Sequence, residues 1–458
     1  MAWISLVPFF CILDGQGTWR AFRRAYLYGF VFFLGTLGWF VYVTYPGAFL
    51  LVAFLSLYFA FFGVIFVYFQ RLALMPRIFV LASCWTGLEF IRAHLFSGFG
   101  WVMLGDSQYK NLWLIQIADK TGVYGISFLV TLVNLLIFET WRARSLFFKA
   151  NVVVTAILAF ALIYGFCLTN QNKHYKMVRV GVVQPNIPLE VDWDENRKPW
   201  IIDKTIQLTQ KLQDQKLDLI VWPETSLPGN INDAPFLTNK IQALAESLNT
   251  PILIGSIAQE EERYYNSAFL IGADGLIKGR YDKIHLVPFG EYLPIRPLMG
   301  WINKFVPLDD FTSGKVYKIF SISSLQKKFG VLICFEDTIG YLRRNFALAG
   351  ADFFVNMTND AWFKDTKAPF LHLQTAVFGC VENHRSLARA ANTGVSALID
   401  PWGRIVATVS NEHGKKAFVE GASWGSLPLN HEKTFYTKYG DIFTYLCFLC
   451  ILVAALTA

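Results

Sequence analysis

Apolar residues are not spread evenly along this chain. They gather in long unbroken runs near both ends and in short runs between. Residues 25 to 45 (AYLYGFVFFLGTLGWFVYVTY) and 48 to 70 (AFLLVAFLSLYFAFFGVIFVYFQ) are each long enough to cross a hydrocarbon core of ~30 Å at ~1.5 Å per residue. Residues 122 to 139, 150 to 168 and 441 to 457 are three more runs of suitable length. The stretch 78 to 95 is weaker because it carries Glu89 and Arg92, but it brings the expected number of transmembrane helices to six. Three apart, Glu89 and Arg92 share one helical face, so they are expected to neutralise each other within the bundle or to pair near a helix end. Residues 1 to 13 are apolar but too short to span. They carry neither a basic leader nor a small-residue cleavage site, so the pattern predicts a partial or interfacial helix.

From residue 178 the period changes. Short β-branched runs (VRVGVVQ, LDLIVW, PILIGS, SAFLIG, LIKGRYD, FGVLICF, DFFVNM, VSALID and RIVATV) alternate with helical stretches near 195 to 215, 235 to 248, 338 to 349 and 370 to 390. Strands apolar on both faces that alternate with helices predict a layered α/β domain with both sheet faces covered. The expected organisation is an N-terminal membrane domain over 1 to 171, a polar domain over 172 to 436 and a last transmembrane helix over 437 to 458.

Composition agrees with a membrane protein: 54% of the 458 residues are hydrophobic and 16% aromatic, with 42 Phe and 14 Trp. Arg20, Arg23 and Arg24 precede the first long span, Arg71 and Arg77 follow the second, and Arg142, Arg144 and Lys149 follow the fourth. Cytoplasmic loops near spans are enriched in such residues, so these three alternate as cytoplasmic and the polar block after the fifth span is expected on the opposite side. The net charge of +7 suits anionic headgroups. No basic stripe points to nucleic acid.

Of seven cysteines, Cys11, Cys84, Cys167, Cys447 and Cys450 fall in apolar segments, where cysteine behaves as a small hydrophobe. The CxxC spacing of Cys447 and Cys450 lies in a hydrophobic helix without the strand-helix context of a redox motif. Cys380 sits in a helical pattern and reads as core. Cys334 is different, because it ends the run GVLI, just as Glu224 follows LIVWP and Asn359 and Asp360 follow DFFVNMT. Ligands of α/β sheets gather at the carboxyl ends of strands. Taken singly, each of these residues fits an ordinary role as solvated loop or core cysteine; it is their convergence that marks a site.

The phrases WPE, KIHLVPFGE, ICFE and NDAWF, with ARAANTGVS and WDEN, resemble the nitrilase superfamily. Together with the flanking spans and HLVPFGEYLP, they resemble its membrane-bound branch, the bacterial apolipoprotein N-acyltransferases. The resemblance covers nearly the whole chain. It implies a nitrilase-like αββα sandwich joined to a polytopic α-helical membrane domain in the bacterial inner membrane, with the sandwich on the periplasmic side. It further implies a triad of Glu224, Lys283 and Cys334, with Trp193, Glu291 and Glu336 as supporting residues, and a reaction that moves a fatty acyl chain from a phospholipid to a diacylated apolipoprotein. No cofactor or metal is expected. Members usually begin with one more hydrophobic segment, so the membrane domain is expected to be reduced or to start upstream. Phe335 stands where the family often has Tyr, which leaves its backbone N–H but no hydroxyl.

These residue types suit acyl transfer. A thiolate forms a labile acyl intermediate; a neighbouring ammonium stabilises it and a carboxylate accepts its proton. Lys283 and the Phe335 N–H are expected to hold the oxyanion, each such donor being worth ~10²-fold to 10³-fold in rate. Glu291 and Glu336 are expected either to orient Lys283 or to pair with it. Trp193 packs a lipid chain or anchors its loop, and Asn359 fixes loop geometry. The apolar, Pro- and Gly-broken stretch 292 to 311, with Trp301 and Phe305, predicts a lid at the bilayer surface or an insertion packed on the core. Residues 96 to 120, between spans three and four, are expected at the substrate mouth. Two other functions fit parts of the pattern: a tethered amidase that hydrolyses a small amide, and a transporter or receptor that only binds.

Overall fold

Sequence period becomes architecture in the computed structural model, which describes residues 1–143, 147–171, 173–192, 195–294, 310–322 and 327–457. The chain forms two compact units, one of Met1–Lys173 with Thr434–Ala458 and the other of His174–Lys433.

The first unit is helical. Five of its helices are long and apolar enough to cross a membrane: Thr18–Tyr42, Tyr45–Phe69, Leu74–His94, Val123–Ala143 and Phe148–Thr169. Ile442–Thr457, expected as the sixth span, is a shorter apolar helix. Val123–Ala143 is the central member, with 83% of its most apolar stretch buried, whereas Phe148–Thr169 is peripheral at 17%. Residues 1 to 13 form two short helices, Ala2–Ser5 and Val7–Leu13. Phe9, Phe10 and Leu13 are fully buried, and Asn134 receives the Leu6 N–H at 2.8 Å while donating to the Ala2 carbonyl. The segment thus packs against the bundle through these side chains as two short helices, while Ile4 and Ile12 remain exposed. Aromatic packing holds it there: Phe10 stacks on Phe66 at 5.6 Å and meets Phe138 edge-on at 5.8 Å, geometries that add ~0.5–1.5 kcal/mol per pair to area burial.

Glu89 and Arg92 are both buried. Backbone and indole groups hold them: Glu89 Oε1 accepts from Trp85 Nε1 and the Leu104 N–H, and Arg92 donates to the Val102 carbonyl. At another point in the bundle Arg77 and Arg142 both clamp Glu139, at 2.7 and 3.0 Å.

The second unit is a sandwich of two six-stranded sheets. Strands β1 (Lys176–Gln184), β2 (Leu219–Val221), β3 (Ile252–Glu260), β4 (Arg263–Ile271) and β5 (Ile277–Asp282) follow one another in the first, and β12 (Gly421–Leu429) pairs antiparallel with β1 at its edge. The second sheet runs β11-β10-β9-β8-β7-β6, from β11 (Ile405–Thr408), β10 (Ala397–Ile399) and β9 (Ser386–Ala391) to β8 (Phe353–Thr358), β7 (Lys327–Ile333) and β6 (Ile319–Ile322). Each sheet has three parallel strands at its centre: β1, β2 and β3 in one, β7, β8 and β9 in the other. Buried on both faces, such strands must be apolar throughout, and β8 and β9 are buried at every position. Helices Lys198–Gln210 and Pro235–Leu248 pack through Ile202, Leu208, Leu237, Ile241 and Leu244 against Ile220, Trp222, Ile252 and Ile254 of the first sheet. Gly340–Leu348 and Ala368–Asn383 are the helices that follow β7 and β8 in the chain.

The helix expected over 370 to 390 ends at Asn383, and β9 begins three residues later. His384 stops it by adopting a left-handed conformation (φ +48°), a form of helix termination more usual for Gly or Asn. The expected lid with Trp301 and Phe305 falls mainly on 295–309, and Trp193 on 193–194, outside the described residues.

Candidate active site

Cys334 follows β7 and opens a short 3-10 turn, Cys334–Thr338, with a φ of +54°. A non-glycine residue in this region is uncommon and persists when its surroundings fix it. Here Asn356 of β8 donates its side-chain amide to the carbonyls of Leu332 and Cys334, each at 3.2 Å. Two positions on, Glu336 is fully buried and ties neighbouring segments to the turn. Its Oε1 accepts the N–H groups of Ile284 (2.7 Å) and His285 (3.0 Å), its Oε2 accepts that of Ile333 (2.8 Å), and the Tyr281 hydroxyl lies 2.9 Å from both oxygens. Burial pushes the Glu336 carboxyl up to about 7 against these donors. Glu336 thus ties the backbone just before Cys334 to that just after Lys283; it is Glu291, not Glu336, that bonds the Lys283 ammonium.

Lys283 comes directly after β5 and is 1% exposed. Its ammonium lies 2.8 Å from each oxygen of Glu291 and 3.8 Å from Glu224 Oε1. Burial works against its charge, but Glu291 and then Glu224 outweigh that and hold its pKa above the ordinary lysine value. Lys283 is therefore a fixed cation. Glu291 is itself fixed by the Val287 N–H at 2.8 Å.

Glu224 follows β2 by way of Trp222 and Pro223. Its Oε1 accepts from the Asn266 amide at 2.8 Å and its Oε2 from the Asn359 backbone N–H at 2.9 Å. Glu224 and the Cys334 thiol lie within electrostatic reach of each other. Burial raises the Glu224 pKa above the usual carboxylate value, with Lys283 opposing and Glu291 reinforcing the rise. Burial, and secondarily Glu224, also raise the Cys334 thiol, with Lys283 as the opposing charge. At rest this is a neutral thiol beside a carboxylate of raised basicity and a permanent ammonium, the arrangement needed for proton transfer on demand.

Glu224, Lys283, Cys334, Glu291, Phe335 and Asn359 thus converge, with Glu336 behind them. Asn359 acts through its backbone N–H; its side chain accepts from Ala361 N–H and from the Asn392 amide. Phe335 shares the turn that Cys334 opens, its ring 6.1 Å from that of His285. Asn266 was missed by sequence reasoning. Its one amide group donates to both Glu224 and Glu291 (2.8 and 3.0 Å), and its carbonyl accepts the Lys283 N–H at 2.9 Å. The available signal was a lone amide in the strand RYYNSAFLI, at a position buried among apolar neighbours. Among the described residues there is no His, Cys, Asp and Glu cluster suited to a metal ion.

The profile of the carbon-nitrogen hydrolase family matches residues 179–416, and that of the apolipoprotein N-acyltransferase N-terminal domain matches residues 1–136. An apolipoprotein N-acyltransferase of Geobacter metallireducens is 35% identical over 98% of this chain and 88% of its own length. That of Chlorobaculum tepidum is 28% identical over 100% of this chain and 91% of its own. Among solved structures, a variant of an amidase from Nesterenkonia AN1, of the nitrilase superfamily, aligns with 60% of this chain and 98% of its own at 16% identity and a TM-score of 0.44. A nitrilase-type sandwich, a bundle of long apolar helices and end-to-end similarity to enzymes of one name leave a single assignment: the chain belongs to the apolipoprotein N-acyltransferase family and is a multi-pass membrane acyltransferase.

Proposed function

We propose that this enzyme transfers a fatty acyl chain from a phospholipid, through a thioester on Cys334, to the α-amino group of the N-terminal diacylglyceryl-cysteine of apolipoproteins, at the periplasmic face of the bacterial inner membrane. The observation that carries this reading is the contact set around Glu224. One buried carboxylate, within electrostatic reach of the thiol, is steadied by Asn266 and the Asn359 N–H and stands 3.8 Å from a buried lysine.

In the first half-reaction Glu224 takes the thiol proton and the sulfur attacks the ester carbonyl. Lys283 and the Phe335 N–H stabilise the oxyanion. The C–O bond breaks, and Glu224 returns the proton to the departing lysophospholipid oxygen. In the second, the neutral amine of the apolipoprotein attacks the thioester, Glu224 accepts a proton from the nitrogen, the C–S bond breaks, and the proton returns to the Cys334 sulfur. Glu291 keeps Lys283 charged and aimed. Two half-reactions sharing one base predict ping-pong kinetics.

Mass analysis of the purified enzyme incubated with phospholipid alone tests the reading. It should show one acyl chain on the peptide containing Cys334, absent in Cys334→Ala and discharged when a diacylated lipopeptide is added. An unacylated enzyme, or a Cys334→Ala protein with normal turnover, discards the mechanism. Discharge to water only, with lipopeptide unmodified, makes the enzyme a hydrolase.

A further inference from the structure

Four fully buried charged side chains stand behind the reactive turn and take no part in the proton transfers above: Asp337, Asp360, His372 and Arg389. They come from four segments. Asp337 lies in the 3-10 turn that Cys334 opens, Asp360 opens the turn after β8, His372 is on the helix Ala368–Asn383 and Arg389 is in the middle of β9. Arg389 Nη1 donates to Asp337 Oδ2 at 2.6 Å and to the side-chain oxygen of Asn356, the residue whose amide holds the Cys334 carbonyl. Its Nη2 lies 3.2 Å from Asp360 Oδ2. His372 makes a second bridge between the same carboxylates, with Nε2 2.6 Å from Asp337 Oδ1 and Nδ1 3.1 Å from Asp360 Oδ1 and 2.8 Å from Arg389 Nη2.

We infer that Arg389 and His372 are positioning residues that clamp the nucleophile turn to the turn carrying the base's N–H donor, and so set Cys334 against Glu224. The inference rests on the reading of Cys334 as nucleophile and Glu224 as its base. Both turns lead from the clamp straight to those groups: Asp337 is three residues from Cys334, and Asp360 adjoins Asn359, whose N–H holds Glu224 Oε2 at 2.9 Å. Arg343 adds to the nucleophile side by donating to the Asp337 carbonyl, its own charge met by Glu382 at 2.9 Å. Burial and Arg389 oppose a charged His372, whereas Asp337 and Asp360 raise its pKa; the two carboxylates thus share Arg389 and the His372 ring between them. Buried ion clusters seldom stabilise a fold better than apolar residues of equal volume, whereas placement to within an ångström has large effects on rate. That difference assigns the cluster to geometry.

Three variants of the full-length enzyme, purified in detergent, test this by two readouts: the rate at which iodoacetamide alkylates Cys334, followed on its own peptide by mass spectrometry, and the separate kcat and KM of acyl transfer. His372→Phe fills the space but removes both bridges, and should lower alkylation and kcat together by about tenfold to a hundredfold, with KM within about twofold. His372→Gln keeps a donor toward Asp337 and should recover most of the loss. Gly394→Ala leaves the charges intact, but its Cβ would stand 2.1 Å from Asp360 Oδ2; it should reproduce the loss by displacing that carboxylate. A folded His372→Phe enzyme with unchanged alkylation and kcat overturns the inference, as does a change confined to KM or a His372→Gln enzyme no better than His372→Phe. If His372→Phe does not fold, Gly394→Ala decides, and unchanged alkylation there overturns it. Wild-type enzyme that keeps its turnover after complete Cys334 alkylation would instead overturn the nucleophile assignment.

Discussion

Under the proposed mechanism Glu224 has the most demanding position in the site, since a proton must pass through it in both half-reactions while Glu291 stands nearby. Its raised pKa fixes the sign of one pH effect. The base must be ionised to accept the thiol proton, so kcat/KM should fall as pH drops through a value above the ordinary 4.5, and Glu224→Gln should remove that acid limb with a loss of about 10²-fold to 10⁴-fold. A pH-rate profile that stays flat down to the ordinary carboxylate range contradicts this. Glu336 makes a different demand. Both of its oxygens receive backbone N–H groups, from Ile284 and His285 on one side and Ile333 on the other. Glu336→Gln must turn an N–H donor toward one of them, which costs about 1–3 kcal/mol and should appear as a lower Tm and a slower enzyme. Asn266→Leu withdraws one amide from two carboxylates at once, and should depress turnover although it touches neither sulfur nor ammonium. Normal turnover would remove Asn266 from the site.

Strands and turns explain which features could be read from the sequence. Cys334, Glu224 and Asn359 were legible because each ends or follows a run of β-branched and apolar residues, and a carboxyl strand end is a fixed place in a sheet. Strand β9 was not. In SLARAA a buried arginine interrupts the apolar run, and the segment follows a helix without a glycine or proline to mark the break; the left-handed His384 and the ion partners of Arg389 supply what the local pattern lacks. Strand β12, with Trp424 and alternating exposure, escaped because its partner β1 lies some 240 residues earlier. Close backbone packing also leaves no periodic trace. Gly255 of β3 lies against the Glu224 turn, where a Cβ would come within 2.5 Å of the Thr225 nitrogen and 2.9 Å of the Glu224 Cα. Gly255→Ala should therefore displace the base and cost at least about tenfold in kcat; an unaffected kcat would show that the turn can shift freely.

The two units of the chain divide its physical work. The helical unit draws its cohesion from interlocked aromatic rings such as Phe10, Phe66 and Phe138, since lipid offers no hydrophobic drive to hold helices together. The sandwich buries its ionised groups in pairs and networks. Basic residues before the first long helix and near the ends of the second and fourth, among them Arg20, Arg71 and Arg142, guide the orientation, and they predict that a periplasmic reporter fused after Lys173 is active while one fused after Arg142 is not. The opposite pattern would reverse the proposed orientation.

Because β1 and β12 lie side by side, with Lys176 across from Leu429, the sandwich enters and leaves the chain at one doorstep. A module whose two ends meet can be lifted from one host and set into another without stretching either. The catalytic body of this enzyme is thus built like a cassette, closed at its own edge by the pairing of its first and last strands.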